Sequence, residues 1–181
     1  MKIKLVASKE DQLVANLAAL AIGIHILESA LPSPLPGVKP GFANIITLIV
    51  FLLYGWRMAL WVSLLRVFVG SLVLGTFLSP TFLLSLSGAL CSLLVLGAIS
   101  CLSGLGLSAI GLAVLASMAH MLGQFAVAYY LFIPHQALFN LLPVLLSLAI
   151  VFGWVSGFIT QQLLVRMSGK HEPINRPNYH N

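Results

Sequence analysis

Apolar segments separated by short polar or proline-containing connections follow one another along most of the chain. Most of them have the length of about 20 residues that a helix needs to cross a membrane, and none alternates as a membrane strand would. The pattern therefore predicts six transmembrane helices, of which the second is short for a full span. Their approximate positions are residues 13–31, 42–56, 58–78, 80–102, 107–132 and 137–165.

The connections between these segments carry ordinary signals for helix ends. Four prolines from Pro32 to Pro40 prevent a continuous helix there. Ser79 can cap a helix whose first position is Pro80, and Pro134 ends the fifth segment. We therefore expect a 1–12 N-terminal segment, one 13–165 transmembrane domain and a 166–181 polar tail.

Composition strengthens the prediction of a membrane protein. The chain is 60% hydrophobic and 7% charged, whereas about 25% of the residues in a soluble domain are charged. Most basic residues lie near the two ends, which indicates positive-inside anchoring rather than nucleic-acid binding. Six spans place both termini on one side, so we expect both termini in the cytoplasm. Cys91 and Cys101 lie ten residues apart in one predicted helix, too far apart for a disulfide.

The most unusual position in the apolar segments is Arg66. Between Gln12 and Val165 the only other charged residues are Glu28, Lys39 and Arg57. A charged side chain within the hydrocarbon layer costs a few kcal/mol, so it needs a polar partner and suggests a functional site.

The predicted topology places most strong polar groups in the outer half of the bundle. His25 and Glu28 share one face near the end of the first helix, and His120 and Gln124 share one face of the fifth. Together with other polar positions they predict an outward-facing pocket that binds a small molecule. Its predicted residues are His25, Glu28, Lys39, Asn44, Arg66, His120 and Gln124.

Two alternatives stay open for these polar residues. The charged groups could form an ion-paired cluster that only holds helices together. The hydroxyls of Ser71, Thr76, Ser85 and Ser87 favour a structural interpretation, because a hydroxyl in a helix readily bonds its own backbone.

Small residues recur along the first helix at Ala15, Ala19 and Gly23. At this spacing they form a flat ridge on which another helix can lie closely. The ridge predicts either a surface for docking a partner protein or internal packing within the bundle.

The sequence lacks the residues that nucleotide hydrolysis and magnesium-dependent diphosphate chemistry require. There is no phosphate-binding loop of the G-x-x-x-x-G-K-[ST] type, and Asp11 is the only aspartate in the chain. Aspartate-rich magnesium sites for diphosphate chemistry therefore cannot form. We expect no catalytic site, no metal and no cofactor.

Three separated motifs carry a resemblance to a known family: PGVKPGFANI at 36–45, LRVFVGSLVLGTFLSPTFLLSLSG at 65–88 and HMLGQ at 120–124. With the residues around them, from about 13 to 165, the chain resembles the Gx transporter family, also described as heptaprenyl diphosphate synthase component I. That family is in turn similar to the S components of energy-coupling factor (ECF) transporters.

The resemblance implies a six-helix, S-component-like bundle in the bacterial cytoplasmic (inner) membrane. It implies capture of a small molecule from outside, with the loop after the first helix closing the pocket. The ridge of small residues would dock on a coupling protein driven by separate ATPases. Within the pocket, Arg66 and Lys39 would meet anionic or carbonyl groups on the substrate. Glu28 would orient Arg66 or accept from substrate donors. His120 and Gln124 would supply orienting hydrogen bonds.

The leading hypothesis is thus a substrate-binding uptake protein that is not an enzyme. A second hypothesis is a membrane accessory component of prenyl diphosphate or quinone-related synthesis, working with a separate catalytic subunit. A third is a structural subunit, which predicts polar groups that are paired with one another and dry.

Overall fold

All regular secondary structure in the described part of the chain is helical. The computed structural model describes residues 9–30, 42–101 and 107–168. These residues form six α-helices and no strand, which confirms the all-α class. The helices are α1 (Lys9–Ala30), α2 (Phe42–Tyr54), α3 (Trp56–Val73), α4 (Pro80–Cys101), α5 (Ala109–Val127) and α6 (Leu142–Ser168). The proline-rich loop, the turn at 102–106, the tail from 169 onward and residues 1–8 lie outside the described residues.

Four helical segments are long and apolar enough to cross a membrane: Trp56–Val73, Pro80–Cys101, Ala109–Phe132 and Gln136–Arg166. The apolar stretches of the first two helices, Asp11–Leu27 and Asn44–Tyr54, are shorter. Large apolar side chains such as Trp61, Leu72, Leu94 and Trp154 are more than half exposed, as expected of surfaces that face lipid. The chain is therefore a helical membrane protein, whereas six complete spans stay a prediction.

Helix ends differ from the predicted ends where the backbone turns sharply. The predicted third helix reaches residue 78, but α3 ends at Val73 because Gly75 (φ 66°) and Leu78 (φ 59°) adopt left-handed conformations. Ser79 caps α4 as predicted, accepting a bond from the amide of Phe82 at 3.4 Å.

At the other connections the helices also begin or end a few residues away from the predicted bounds. Gly55, at φ 85°, separates α2 from α3, so Trp56 begins the third helix instead of ending the second. A π-helical turn at Ala128–Phe132 prolongs α5. A 3-10 turn at Gln136–Leu141 precedes α6.

The short helix α2 lies at the centre of the bundle. Six consecutive residues, Ile45 to Val50, are buried, so protein surrounds this part of the helix on every side. It packs against α1, α3, α5 and α6. Helix α5 packs between α4 and α6, and α1 lies against α3 and α2.

Glycines set the closest helix crossings. A Cβ added at Gly157 of α6 would lie 2.6 Å from the Cα of Ile110, and one added at Gly153 would lie 2.8 Å from the Cα of Val114. Only glycine permits such contact between backbones, and the G-x-x-x-G spacing is typical of close membrane helix pairs. This motif escaped the sequence analysis, which assigned the small-residue ridge to the first helix only.

Candidate functional site

A cavity of about 260 Å³ lies at the end of the bundle where α1 and α3 end and α4 begins. We call it the upper cavity. One imidazole, four hydroxyls and three apolar side chains line it: His25, Val67, Ser71, Leu74, Thr76, Thr81, Phe82 and Ser85. These residues are close together because the two turns of backbone after α3 reverse the chain directly into the first turn of α4.

His25 reaches this cavity because the facing residue of α3 is a glycine. A Cβ on Gly70 would lie 3.1 Å from Cδ2 of His25, tighter than ordinary van der Waals contact. On the same helix, the hydroxyl of Ser71 donates to the carbonyl of Phe68 at 2.8 Å. The backbone bond predicted for this hydroxyl is thus confirmed, and the oxygen of Ser71 keeps its ability to accept a further bond.

Aromatic rings border the upper cavity. The ring of Phe82 lies 5.5 Å from that of Phe68 in an edge-on arrangement and 5.0 Å from that of Phe77. The cavity therefore combines several hydrogen-bonding groups with one apolar aromatic border, as small-molecule sites commonly do.

Below the upper cavity, Arg66 comes together with two other predicted residues. Arg66 lies one turn before Gly70 on α3 and is only 6% exposed. Its charge acts on His120 of α5, and the ring of His120 packs on Gly88 of α4, where an added Cβ would lie 2.7 Å from Nε2. Gln124 packs on the same glycine, since its Cγ would lie 2.9 Å from a Cβ added there. We call Arg66, His120 and Gln124 the arginine–histidine cluster.

One nitrogen of this cluster is enclosed without a hydrogen bond. Nδ1 of His120 is shielded from solvent and meets no bonding partner among the described residues. An enclosed polar atom in hydrocarbon is costly unless something bonds to it. The cluster therefore has hydrogen-bonding capacity to offer a ligand or a water.

Asn44 lies elsewhere in the bundle. It lines a second, central cavity of about 20 Å³, formed by Asn44, Thr47, Leu48, Ser63, Ala89, Ser92, Leu96, Ala113, Ala116, Ser117 and Ser156. The 13 residues of α2 rise only about 20 Å, against a hydrocarbon layer of about 30 Å. Asn44 at the start of α2 is therefore level with the middle of the neighbouring helices, and its part in the predicted pocket stays a prediction.

The central cavity is polar in a way that the sequence analysis missed. Thr47, Ser63, Ser92, Ser117 and Ser156 come from five different helices. Single hydroxyls in apolar helices are common and carry little signal one at a time. Only their convergence distinguishes them, and no motif in the sequence shows it.

Two predicted residues cannot be placed in either cavity. Glu28 belongs to α1, but its side chain is outside what the structure describes, and Lys39 lies in the segment outside the described residues. The predicted meeting of Glu28 with Arg66 therefore stays a prediction.

The ridge of small residues faces away from the bundle. Ala15, Ala19 and Gly23 are exposed, whereas Ala18 and Ala21 on the other face of α1 are buried. Apart from the backbone of α1 itself and the residues next to Gly23, no atom of the described residues lies within 4 Å of a Cβ added at Gly23. The ridge is therefore open to a partner, although its use in docking stays a prediction.

The two cysteines, Cys91 and Cys101, are free. Within residues 9–30, 42–101 and 107–168, no three His, Cys, Asp or Glu side chains cluster closely enough to hold a metal ion.

Comparison with known proteins gives one match. The sequence model of a family described as heptaprenyl diphosphate synthase component I matches residues 17–163. This range contains every residue that lines the two cavities and every member of the arginine–histidine cluster. Neither a curated protein nor a solved structure matches the chain.

Proposed function

The chain belongs to the heptaprenyl diphosphate synthase component I family, and from this premise we propose that it is a membrane protein that binds a small molecule in its upper cavity. In this proposal six helices cross the bacterial cytoplasmic membrane, both termini are cytoplasmic, and the upper cavity opens outward. The protein itself catalyses no reaction. It captures the molecule for uptake, as the S components of ECF transporters do.

The observation that carries the proposal is the upper cavity itself. A structural subunit would leave little space between its polar groups, whereas here an imidazole and four hydroxyl-bearing residues line a cavity of about 260 Å³. Polar side chains at membrane depth lie against protein or a water-filled space and commonly mark the path of a substrate. A volume just below the usual range for ligand sites favours a small molecule.

The charge of the site favours a substrate with anionic or carbonyl groups. Among the residues that the structure describes, no acidic side chain lines the upper cavity, and Arg66 directly precedes Val67 of its lining. A guanidinium surrounded by low dielectric attracts an anion strongly and offers it a rigid fork of donors. Lys39 and Asn44, predicted near the same entrance, would add donors from the loop and from α2.

Active uptake needs an energy source, and this sequence has no phosphate-binding loop of the kind that nucleotide-driven motors use. We propose that the exposed ridge of Ala15, Ala19 and Gly23 docks on a transmembrane coupling protein driven by separate ATPases. The close approach of two helices that small residues permit would make this ridge suitable for such a contact.

Ligand retention tests the proposal. Native mass spectrometry of the purified wild-type protein should show a bound small molecule. Arg66→Ala should lose it, because an anionic group would lose its donor fork. Arg57→Ala is the matched control, because Arg57 lies on the same helix but is exposed at its other end. Equal retention by both variants, or no ligand on the wild type in any preparation, would contradict the assignment.

The family description itself favours a second candidate function. It names a component of heptaprenyl diphosphate synthase, so the chain could serve as the membrane accessory subunit of a separate synthase. With a single aspartate it would not supply the metal-binding carboxylates. Co-purification with a soluble, aspartate-rich synthase, and loss of long-chain product when this chain is deleted, would favour this function over uptake.

A further inference from the structure

The central cavity lies in the middle of the bundle, and polar side chains from five helices line it. Its five hydroxyl-bearing residues stand at similar heights, counted from the end of the bundle where α2 ends and α3 begins. Thr47 and Ser63 lie seven residues from that end, Ser117 eight, Ser92 nine and Ser156 twelve. At 1.5 Å per residue these heights are about 10–18 Å, near mid-depth of a membrane.

Four of the five hydroxyl-bearing residues are almost completely removed from solvent. Thr47 is 5% exposed, Ser63 1%, Ser92 7% and Ser156 6%. Oγ1 of Thr47 is enclosed and has no hydrogen-bond partner within the described part of the chain. A buried hydroxyl without a partner is unfavourable, more so where the surroundings are hydrocarbon.

We propose that the central cavity binds one ordered water molecule that links α2 to the helices around it. A water needs about 10–15 Å³ of such space and two to four polar partners. The cavity supplies about 20 Å³, the amide of Asn44 and five hydroxyls. The same water would complete the bonding of Thr47.

Two other occupants fit less well. The space is too small for a solute of several heavy atoms. A dehydrated cation binds best beside a carboxylate, but every described residue that lines the central cavity is neutral. The guanidinium of Arg66, which follows Ser63 by one turn of α3, would also repel a cation.

Two threonines make a matched test. Thr160 of α6 is also fully buried, and its Oγ1 also has no partner among the described residues, but it is not part of the cavity lining. Valine has nearly the shape of threonine and lacks only the hydroxyl. Thr47→Val therefore removes a hydroxyl from the site where we propose a water, and Thr160→Val removes one from a site outside the cavity.

The midpoint of thermal unfolding in one detergent separates these cases. Thr47→Val should lower it by about 2–4 °C, because the water loses a partner. Thr160→Val should leave it unchanged or raise it, because a dry unsatisfied hydroxyl disappears. A Thr47→Val midpoint equal to or above the wild-type value would overturn the proposal.

Two further measurements keep the proposal testable if Thr47→Val does not fold. An experimental density map of the wild type should show a water within hydrogen-bond distance of Oγ1 of Thr47, and a well-resolved map without one would refute the idea. A wild-type midpoint that rises in sodium but not in potassium would identify a cation site and would equally refute it. Neither result bears on ligand retention in the upper cavity.

Discussion

Gly88 is the position where the smallest change should disturb the arginine–histidine cluster most. A methyl carbon added to it would lie 2.7 Å from Nε2 of His120, 2.8 Å from Cε1 of the same ring and 2.9 Å from Cγ of Gln124. Optimal carbon contacts are about 3.5–4.0 Å. Both side chains would have to move by several tenths of an ångström or more, and they lie on consecutive turns of one helix.

From these contacts we expect Gly88→Ala to destabilise the protein by about 1–3 kcal/mol, the usual range for overpacking a tight core. For a chain of this size each kcal/mol lowers the midpoint of thermal unfolding by about 2–4 °C. Ligand retention in native mass spectra should fall as well, because the displaced ring would no longer face Arg66 in the same way.

Gly111→Ala is the matched control, because it lies on the same α5 as His120 and its added methyl meets only ordinary contacts at 3.7 Å. Its midpoint should equal or exceed that of the wild type. The contribution of His120 can be checked in a His120→Ala background. There Gly88→Ala should lose part of its effect, as expected for residues in contact, because only the contact with Gln124 remains. An unchanged midpoint and full ligand retention in Gly88→Ala would contradict the close packing of His120 and Gln124 on Gly88.

Two other substitutions test the packing of the bundle by thermal or denaturant unfolding. Gly157→Ala would place a methyl 2.6 Å from the backbone of α5, which cannot rotate away, so we expect the free energy of unfolding to fall by at least about 1–3 kcal/mol. The control is Gly23→Ala, because alanine should be tolerated at that open position. Equal stability of the two variants would contradict the close crossing. Trp56→Phe removes the 2.9 Å hydrogen bond from the indole to the carbonyl of Leu93 and should lower the free energy of unfolding by about 0.5–1.5 kcal/mol. Unchanged stability would show that this bond between α3 and α4 does not stabilise the fold.

How far the sequence could lead differs between elements of the fold. The start of α4 was predictable because Ser79 and Pro80 act on their own backbone. The end of α3 was not, because nothing local distinguishes Leu74 or Leu78 from residues that continue a helix. Gly75 was a possible signal, but a single glycine is tolerated in membrane helices.

The candidate site divides in the same way. Arg66, His120 and Gln124 were predicted together because polar groups in lipid must face the bundle interior. The structure packs His120 and Gln124 on Gly88, and the charge of Arg66 acts on His120. Asn44 was expected beside His25, yet it lines the central cavity, since the second helix is too short to reach the same end. The role of each residue in binding stays a prediction.

By itself, the sequence determined that this is an all-helical membrane protein of the family described as heptaprenyl diphosphate synthase component I, with one deeply placed arginine. Composition, segment length and helix capping depend only on residues that are close together in the sequence. They can therefore be predicted without knowing any contact between distant residues. The tertiary structure alone decided that α2 is the central helix, that five hydroxyls converge on one cavity and that Gly88 seats His120. These depend on how helices far apart in the chain cross, and the crossings follow from the shapes of whole faces rather than from any single motif.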